Sequence, residues 1–246
     1  MKEILDISDL FNIKKGSIIS IVGTGGKTSL LFYLATILKQ KYSVLVTTST
    51  KILKPSNDKY DYLYTNIDVF LNSKLPKKNN ITVISKSFNE ENNKLIGIDD
   101  SDLEKLLNIF DIILVEADGS RNLPLKGWKD FEPPILNKTN KTIGIIPIGV
   151  IGRIIDDSFI YGYEEFKTFV KNNKYINNEV IKNICISKEG IFKNSIKEKY
   201  LLINQVDEEC DMKNAIKLAE YLYLNIEKES FKIIIGSLHR DKFYEY

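Results

Sequence analysis

Seven short apolar runs recur along the chain, and amphipathic stretches separate several of them. Because each run is continuous rather than alternating, it predicts a strand that is covered on both faces. Residues 28–40 and 212–224 carry apolar side chains at helical spacing and predict helices, the second with Asp211 as its N-cap. Strands that alternate with helices are typical of an α/β fold with a mainly parallel sheet flanked by helices. The predicted strands are residues 17–22, 44–48, 81–85, 112–116, 142–147, 200–203 and 232–236.

Two regions depart from this alternation. Residues 81–98 predict two strands around a polar Asn/Glu turn, which is a β-hairpin inserted in the sheet or at its edge. Residues 124–199 have the least regular pattern and predict a small middle lobe or lid. A length of 246 residues fits one large domain, so we expect residues 1–246 to form a single α/β domain that carries this lobe.

The composition argues against several classes of protein. Lys and Arg together number 35 and Asp and Glu 33, and a net charge of +2 is not that of a nucleic-acid-binding or acidic-membrane-binding chain. The acidic start MKEILDISDL is unlike a signal peptide, and the longest apolar stretch, residues 143–152, is too short to span a membrane. A single histidine and two cysteines without CxxC spacing argue against multi-His metal sites, His triads and zinc clusters. We therefore expect a cytoplasmic protein.

A predicted strand leads through a glycine-rich turn into a predicted helix in residues 20–29, SIVGTGGKTS. Main-chain N–H groups in such a turn, together with the helix N-terminus, form a concave site for phosphate. We predict a P-loop NTPase-like site in which Lys27 reaches the β- and γ-phosphates of ATP or GTP and the Thr28 hydroxyl binds Mg²⁺. Ile21 occupies the first glycine position of the strict GxxxxGK[ST] pattern, and the shorter GTGGKTS resembles the ATP loop of Mur-type ligases. The predicted nucleotide-binding residues of this loop are Gly23, Thr24, Gly25, Gly26, Lys27, Thr28 and Ser29.

A second apolar run ends in acidic residues, as IILVEADGSR in residues 112–121. Glu116 and Asp118 are two residues apart and both can address Mg²⁺, one as a ligand and the other to position an attacking water. Arg121 is one of only three arginines, and its bidentate geometry suits phosphate or an anionic substrate, although a surface salt bridge is the alternative. The predicted catalytic residues are Lys27, Glu116, Asp118 and Arg121.

Hydroxyl side chains cluster at the end of the second predicted strand, in VTTSTK at residues 46–51. Thr48 or Thr50 can reach Mg²⁺ or the γ-phosphate if this strand and the strand before the glycine-rich turn are adjacent in the sheet. The equal alternative is the β-propensity of threonine at a strand end.

Two further features are weaker. The late segment NQVD resembles the NKxD base-recognition motif of GTPases, with Asn204 and Asp207 retained and Gln205 at the lysine position, so the preferred base stays open. Lys126 and Trp128 can line a pocket for an anionic cofactor, or the tryptophan can pack on the sheet edge.

With these segments assembled, the chain resembles the YqeC family of accessory proteins for selenium-dependent molybdenum hydroxylases. The matching segments, in family order, are VGTGGKTSLLFYLA, VLVTTSTKI, IILVEADGSRNLPLKGW and NQVD. The resemblance implies a nucleotide-dependent step in the biosynthesis or insertion of a selenium-containing cofactor, with the hydroxylase or its cofactor as partner.

Three functional hypotheses follow. The first is a Mg²⁺-dependent NTPase or phosphoryl- or nucleotidyl-transferring enzyme. The second is a nucleotide-switched binding module or chaperone for a molybdenum enzyme, suggested by NQVD and the irregular lobe. The third is a Mur-like ATP-dependent synthetase, for whose acceptor domains 246 residues leave little room.

Overall fold

A computed structural model of the protein describes residues 2–4, 7–73, 79–227 and 230–246. Within these residues the strands form one ten-stranded sheet, one three-stranded sheet and one two-stranded sheet. The strands are β1 (Lys2–Ile4), β2 (Ser17–Gly23), β3 (Val44–Thr48), β4 (Lys51–Leu53), β5 (Tyr62–Tyr64), β6 (Ile81–Ile84), β7 (Ser87–Asn89), β8 (Lys94–Ile96), β9 (Ile112–Glu116), β10 (Leu125–Lys126), β11 (Lys141–Pro147), β12 (Ile160–Tyr161), β13 (Glu198–Asn204), β14 (Lys232–Ser237) and β15 (Lys242–Glu245). The helices are α1 (Ile7–Leu10), α2 (Lys27–Leu38), α3 (Ile67–Leu71), α4 (Asp100–Leu106), α5 (Tyr163–Val170), α6 (Asn178–Ile186) and α7 (Glu209–Asn225), with 3-10 turns at Asn57–Lys59 and Ile148–Val150.

The main sheet has the order β1-β15-β14-β13-β11-β2-β9-β3-β6-β5. The eight strands from β14 to β5 are all parallel, and β15 runs antiparallel to both of its neighbours. This confirms the predicted α/β fold with a mainly parallel sheet, and it is compatible with a P-loop NTPase-like fold. In chain order, β3, β5, β6 and β9 enter the sheet on one side of β2, and β11, β13, β14 and β15 enter it on the other. The carboxyl end of β2 is therefore a topological switch point, the place where open α/β sheets bind ligands.

Both faces of the sheet are buried, which explains why the strand sequences are continuously apolar. Ile19 and Ile21 of β2 belong to a core shared with α1 and α2. Ile18 and Val22 of the same strand belong to a second core shared with α3 to α7. Successive residues point to opposite faces, and helices cover each face.

Two sequence expectations need correction. The N-cap of α7 is Glu208, and Asp211 lies in the first helical turn, where its carboxylate accepts the Glu208 main-chain N–H at 3.0 Å. The predicted hairpin over residues 81–98 is wrong in its first strand, because β6 is buried along its length and pairs in the main sheet. The antiparallel hairpin is β7 and β8, whose first strand is partly exposed, and it joins β4 in the three-stranded sheet.

The middle segment 124–199 is partly built into the main sheet through β11. Around that strand lie the parallel pair β10 and β12 and the packed helices α5 and α6. Its role as a lid stays a prediction. Over the described ranges, no helix combines the length and the apolar character that a membrane crossing demands.

Candidate functional site

The glycine-rich turn connects β2 to α2 and passes close to the ends of β11 and β13. Gly23, Gly25 and Gly26 have φ values of 93°, 79° and 128°, which L side chains rarely adopt. A Cβ on Gly25 would lie 2.7 Å from the Pro147 ring, and one on Gly26 would lie 2.7 Å from Asn204 Nδ2. The turn therefore needs glycine for its dihedral angles and for the space that its neighbours leave.

The main-chain N–H groups at the start of α2 are available to an anion. Those of Gly25, Gly26, Lys27 and Thr28 have no hydrogen-bond acceptor among the residues that the structure describes. Four such groups at the N-terminus of a twelve-residue helix combine donors with the positive end of the helix dipole. This arrangement suits phosphate.

The first half of the turn is anchored to the protein instead. The Thr24 N–H donates to the Ile145 carbonyl at 2.9 Å, and the Thr24 hydroxyl donates to the Pro124 carbonyl at 2.7 Å. Its side chain therefore fixes the turn, and nucleotide contact by Thr24 and by the exposed Ser29 stays a prediction.

Lys27 is folded back into the turn and is only 7% exposed. Its Nζ donates to the Gly23 carbonyl at 2.6 Å and lies 3.4 Å from Asp118 Oδ1. The amine is thus held at the start of the same turn, where it can add positive charge to an anion site.

Asp118 is fully buried and is surrounded by donors. Its Oδ2 accepts the Gly23 main-chain N–H at 3.1 Å and the Trp128 indole N–H at 2.9 Å, and Lys126 Nζ lies 3.9 Å away. Oδ1 has no hydrogen bond within the described part of the chain, although the Lys27 amine is within ion-pair distance. Asp118 therefore connects the segment that follows β9 to the glycine-rich turn.

Glu116 lies on the same face of the sheet as α2. The Thr28 hydroxyl donates to Glu116 Oε2 at 2.7 Å, so these two predicted metal ligands meet. Burial raises the pKa of the Glu116 carboxyl, while the charge of Lys27 and the hydrogen bond from Thr28 act in the opposite direction. Thr48 is adjacent in register, and its hydroxyl donates to the Glu116 carbonyl at 2.8 Å. β9 separates β3 from β2, so the strand of Thr48 and the strand before the turn are not adjacent, and metal binding by Thr48 stays a prediction.

Oxygen ligands for a divalent cation are thus few here. In the ranges that the structure describes, no group of three or more His, Cys, Asp or Glu side chains could hold a metal ion. A cation beside Thr28 and Glu116 would need further oxygen ligands from phosphate or water, which is the usual manner of Mg²⁺.

Asn204 and Asp207 take different places. Asn204 is buried, and its Nδ2 donates to the Gly25 carbonyl at 2.8 Å, which brings the end of β13 onto the glycine-rich turn. Asp207 accepts a hydrogen bond from the Ser237 hydroxyl and lines a cavity of ≈ 460 Å³. Arg240 and Met212 also line this cavity.

Arg121 is exposed, and the structure places it over an aromatic ring. Its guanidinium carbon lies 5.4 Å from the centroid of Tyr161, and its φ is 50°. Contact of Arg121 with phosphate or an anionic substrate stays a prediction.

Sequence reasoning missed the partners of Asp118. Trp128 is 4% exposed, its ring lies in the core that includes residues of the main sheet, and its indole N–H donates to Asp118. Lys126 is buried against the same carboxylate. The only sign of these contacts in the sequence is that a lysine and the single tryptophan follow Asp118 within ten residues.

Comparison with known proteins places the chain in a family. The model of the YqeC protein family matches residues 19–164, more than half of the chain. The chain belongs to the YqeC family. A protein of Escherichia coli (strain K12) called uncharacterized protein YqeC is 31% identical over 173 residues, which cover 68% of this chain and 67% of that protein. The YqeC match contains the glycine-rich turn, Glu116, Asp118 and Trp128 and ends before Asn204.

Proposed function

We propose that this YqeC family member binds a Mg²⁺–nucleoside triphosphate, ATP or GTP, on the glycine-rich turn. It then hydrolyses the nucleotide or transfers a phosphoryl or nucleotidyl group. One observation carries the proposal: the free N–H groups of α2, Lys27 and the Thr28–Glu116 pair converge at the switch point of the sheet.

The phosphate site is built from the main chain and Lys27. The N–H groups of Gly25 to Thr28 donate to phosphate oxygens. Lys27 leaves the Gly23 carbonyl and turns its amine to the β- and γ-phosphates, a movement that needs only side-chain rotation. Positioning and charge neutralisation supply most of the catalysis in phosphoryl transfer.

The residues present fit Mg²⁺. Thr28 and Glu116 offer hard oxygen ligands, the type that this ion prefers, and the two oxygens lie 2.7 Å apart. When bound, Mg²⁺ supplies charge neutralisation on the phosphate oxygens. We assign Glu116 to the metal side, because it meets Thr28, and Asp118 to the turn, because its Oδ2 is occupied by Gly23 and Trp128.

The base then extends toward the cavity beside Asp207. Gly26 is close to Asn204 and Leu238, and the residues that follow them in the chain line that cavity. Its volume, ≈ 460 Å³, is in the range of small-molecule sites.

In the cell, we propose that the protein acts in the cytoplasm as an accessory factor in the maturation of a selenium-dependent molybdenum hydroxylase. Membership of the YqeC family supports this role. Arg121, exposed beside the acidic segment, is the residue that we assign to an anionic second substrate.

Phosphate release tests the enzyme proposal. We expect release from ATP or GTP that needs Mg²⁺ and is lost in Lys27→Ala, because phosphate charge is then uncompensated. Lys41→Ala is the matched control, since Lys41 is an exposed lysine just beyond α2. Lys27→Ala hydrolysing as fast as Lys41→Ala contradicts the proposal.

The second candidate is a nucleotide-switched binding module. The hydrogen bonds that join Trp128 to Asp118 and Asp118 to the glycine-rich turn favour it, because they link the nucleotide site to the segment that carries the exposed residues Arg121 and Asn122. This role predicts that a molybdenum hydroxylase is captured in one nucleotide state, with little turnover in its absence. Equal capture with triphosphate and diphosphate counts against it.

A further inference from the structure

Lys126 is a buried lysine that no proposed chemical step uses. Its side chain is 0% exposed. Its Nζ donates to the Gly119 carbonyl at 2.7 Å and to Glu132 Oε1 at 2.8 Å, and it lies 5.1 Å from the centroid of the Tyr161 ring. Because protein groups surround the amine, Lys126 does not contact a ligand directly.

The contacts of Lys126 bear on Asp118 in two ways. Its amine is 3.9 Å from Asp118 Oδ2 and therefore stabilises the buried negative charge. Its hydrogen bond to the carbonyl of Gly119, the next residue, fixes the main chain that carries the carboxylate. Trp128 adds a third restraint, the indole N–H donated to the same oxygen.

Asp118 in turn contacts two residues of the proposed phosphate site, Gly23 and Lys27. Oδ2 accepts the Gly23 N–H, and Oδ1 is 3.4 Å from the Lys27 amine. A rotated carboxylate would release the first residue of the turn and leave Lys27 without its counter-charge.

We infer that Lys126 and Trp128 are positioning residues for the phosphate-binding turn: they fix Asp118, which holds the Gly23 main chain and the Lys27 amine. This inference deepens the proposed function and rests on it for its role in nucleotide binding. The geometric part concerns the turn alone and can be measured without nucleotide.

A matched control exists in β11 of the main sheet. Lys141 is also buried, pairs with Glu198 at 2.5 Å and lies 5.9 Å from the Tyr200 ring centroid. It begins β11, whereas the phosphate-binding turn lies at the carboxyl ends of the strands. Lys141→Met therefore removes another buried lysine, whose ion-pair partner Glu198 is exposed, without touching Asp118.

The first test measures amide hydrogen exchange of Gly23 and Thr24 by NMR in the nucleotide-free protein. In Lys126→Met and in Trp128→Phe we expect exchange about tenfold faster than in Lys141→Met, because the acceptor of the Gly23 N–H is no longer held. Exchange in both variants equal to that of Lys141→Met overturns the inference. Trp128→Phe keeps every charge, so it tests the inference even if Lys126→Met does not fold.

The second test measures binding of Mg²⁺–ATP and Mg²⁺–GTP. We expect Lys126→Met and Trp128→Phe to bind about tenfold more weakly than Lys141→Met, as is usual when a supporting hydrogen bond is lost. In an Asp118→Asn background the further loss from Lys126→Met should be at most about threefold, since Lys126 acts through Asp118. The inference is overturned if Lys126→Met weakens binding by the same factor in the Asp118→Asn background as in the wild type. It is also overturned if Lys126→Met binds nucleotide as tightly as Lys141→Met.

The two tests separate the proposals. A wild-type protein that binds neither nucleotide overturns the proposed function, while the exchange result still decides whether Lys126 and Trp128 position the turn. If the wild type binds nucleotide and the Lys126 and Trp128 variants match Lys141→Met in both amide exchange and nucleotide binding, only the positioning inference is overturned.

Discussion

Replacing Lys27 by methionine should destabilise the nucleotide-free protein. In this state the amine is nearly buried, donates to the Gly23 carbonyl and neighbours Asp118 Oδ1. Methionine fills a similar space without charge, so the substitution leaves Asp118 with less compensation in a fully buried place. Lys27 therefore has a structural part in addition to its proposed part in phosphate binding.

The magnitude follows from the burial of the pair. Removing one partner of a buried ion pair costs about 3–5 kcal/mol. Asp118 keeps the N–H groups of Gly23 and Trp128 and has Lys126 nearby, so we expect the lower end, about 3 kcal/mol. For a chain of this length, that loss lowers the melting temperature by about 6–12 °C.

Urea unfolding and calorimetry can measure the effect. Asp118→Asn in the Lys27→Met background removes the unpaired charge, so the double variant should lose about 2 kcal/mol less than the sum of the two single variants, which is the coupling expected of contacting residues. Lys41→Met is the surface control and should change stability by at most about 0.5 kcal/mol. Lys27→Met as stable as this control, or additive losses in the double variant, would refute the reasoning.

Three further substitutions test other parts of the site and fold. Glu116→Gln should raise the melting temperature near neutral pH, because stability of the native protein falls as the pH rises through the raised pKa of Glu116. The gain in melting temperature should vanish below pH 4.5, the ordinary pKa of a glutamate side chain. Equal melting temperatures of Glu116→Gln and the wild type at neutral pH would contradict the prediction. Gly26→Ala should cost about 1–3 kcal/mol in urea unfolding through its φ of 128° and its contact with Asn204. Gly149→Ala, with nothing within 4 Å of its Cβ, should cost far less, and equal losses would argue against this. Burial alone would raise the pKa of Glu198, yet hydrogen bonds from a lysine and a tyrosine lower it to about 2. The stabilisation that ionised Glu198 provides is therefore fully present above pH 4.5 and is lost as the pH falls toward 2. The free energy of unfolding in urea by which the wild type exceeds Glu198→Gln should therefore shrink between about pH 6 and about pH 3. A difference that stays constant over this range would contradict the prediction.

The sheet was predictable because burial on both faces leaves a local signal. Ile18 and Ile19 both had to be apolar, since one faces each core, and the same holds along every parallel strand. The hairpin was misplaced because β6 and β7 are close in sequence but belong to different sheets. Asp211 was misread because a carboxylate in the first turn folds back to the chain much as a cap does.

The site was predictable where chemistry and chain order coincide. Lys27 and Thr28 follow the turn directly, and Glu116 ends the neighbouring strand, so pairing of β2 with β9 brings them together. The contact between Asp118 and Trp128 depends on the path of a loop without periodicity, and no spacing rule gives it. No sequence feature indicates that Asn204 donates to the Gly25 carbonyl, because that contact joins residues 179 positions apart; nucleotide contact by Asn204 stays a prediction.

The most direct test of nucleotide binding is a structure determined with Mg²⁺ and ATP, GTP or CTP. We expect phosphates on the main-chain N–H groups of Gly25 to Thr28, with the Lys27 amine turned from the Gly23 carbonyl to the β- and γ-phosphates. A nucleotide bound elsewhere, with the turn free and Lys27 still on Gly23, would contradict this expectation.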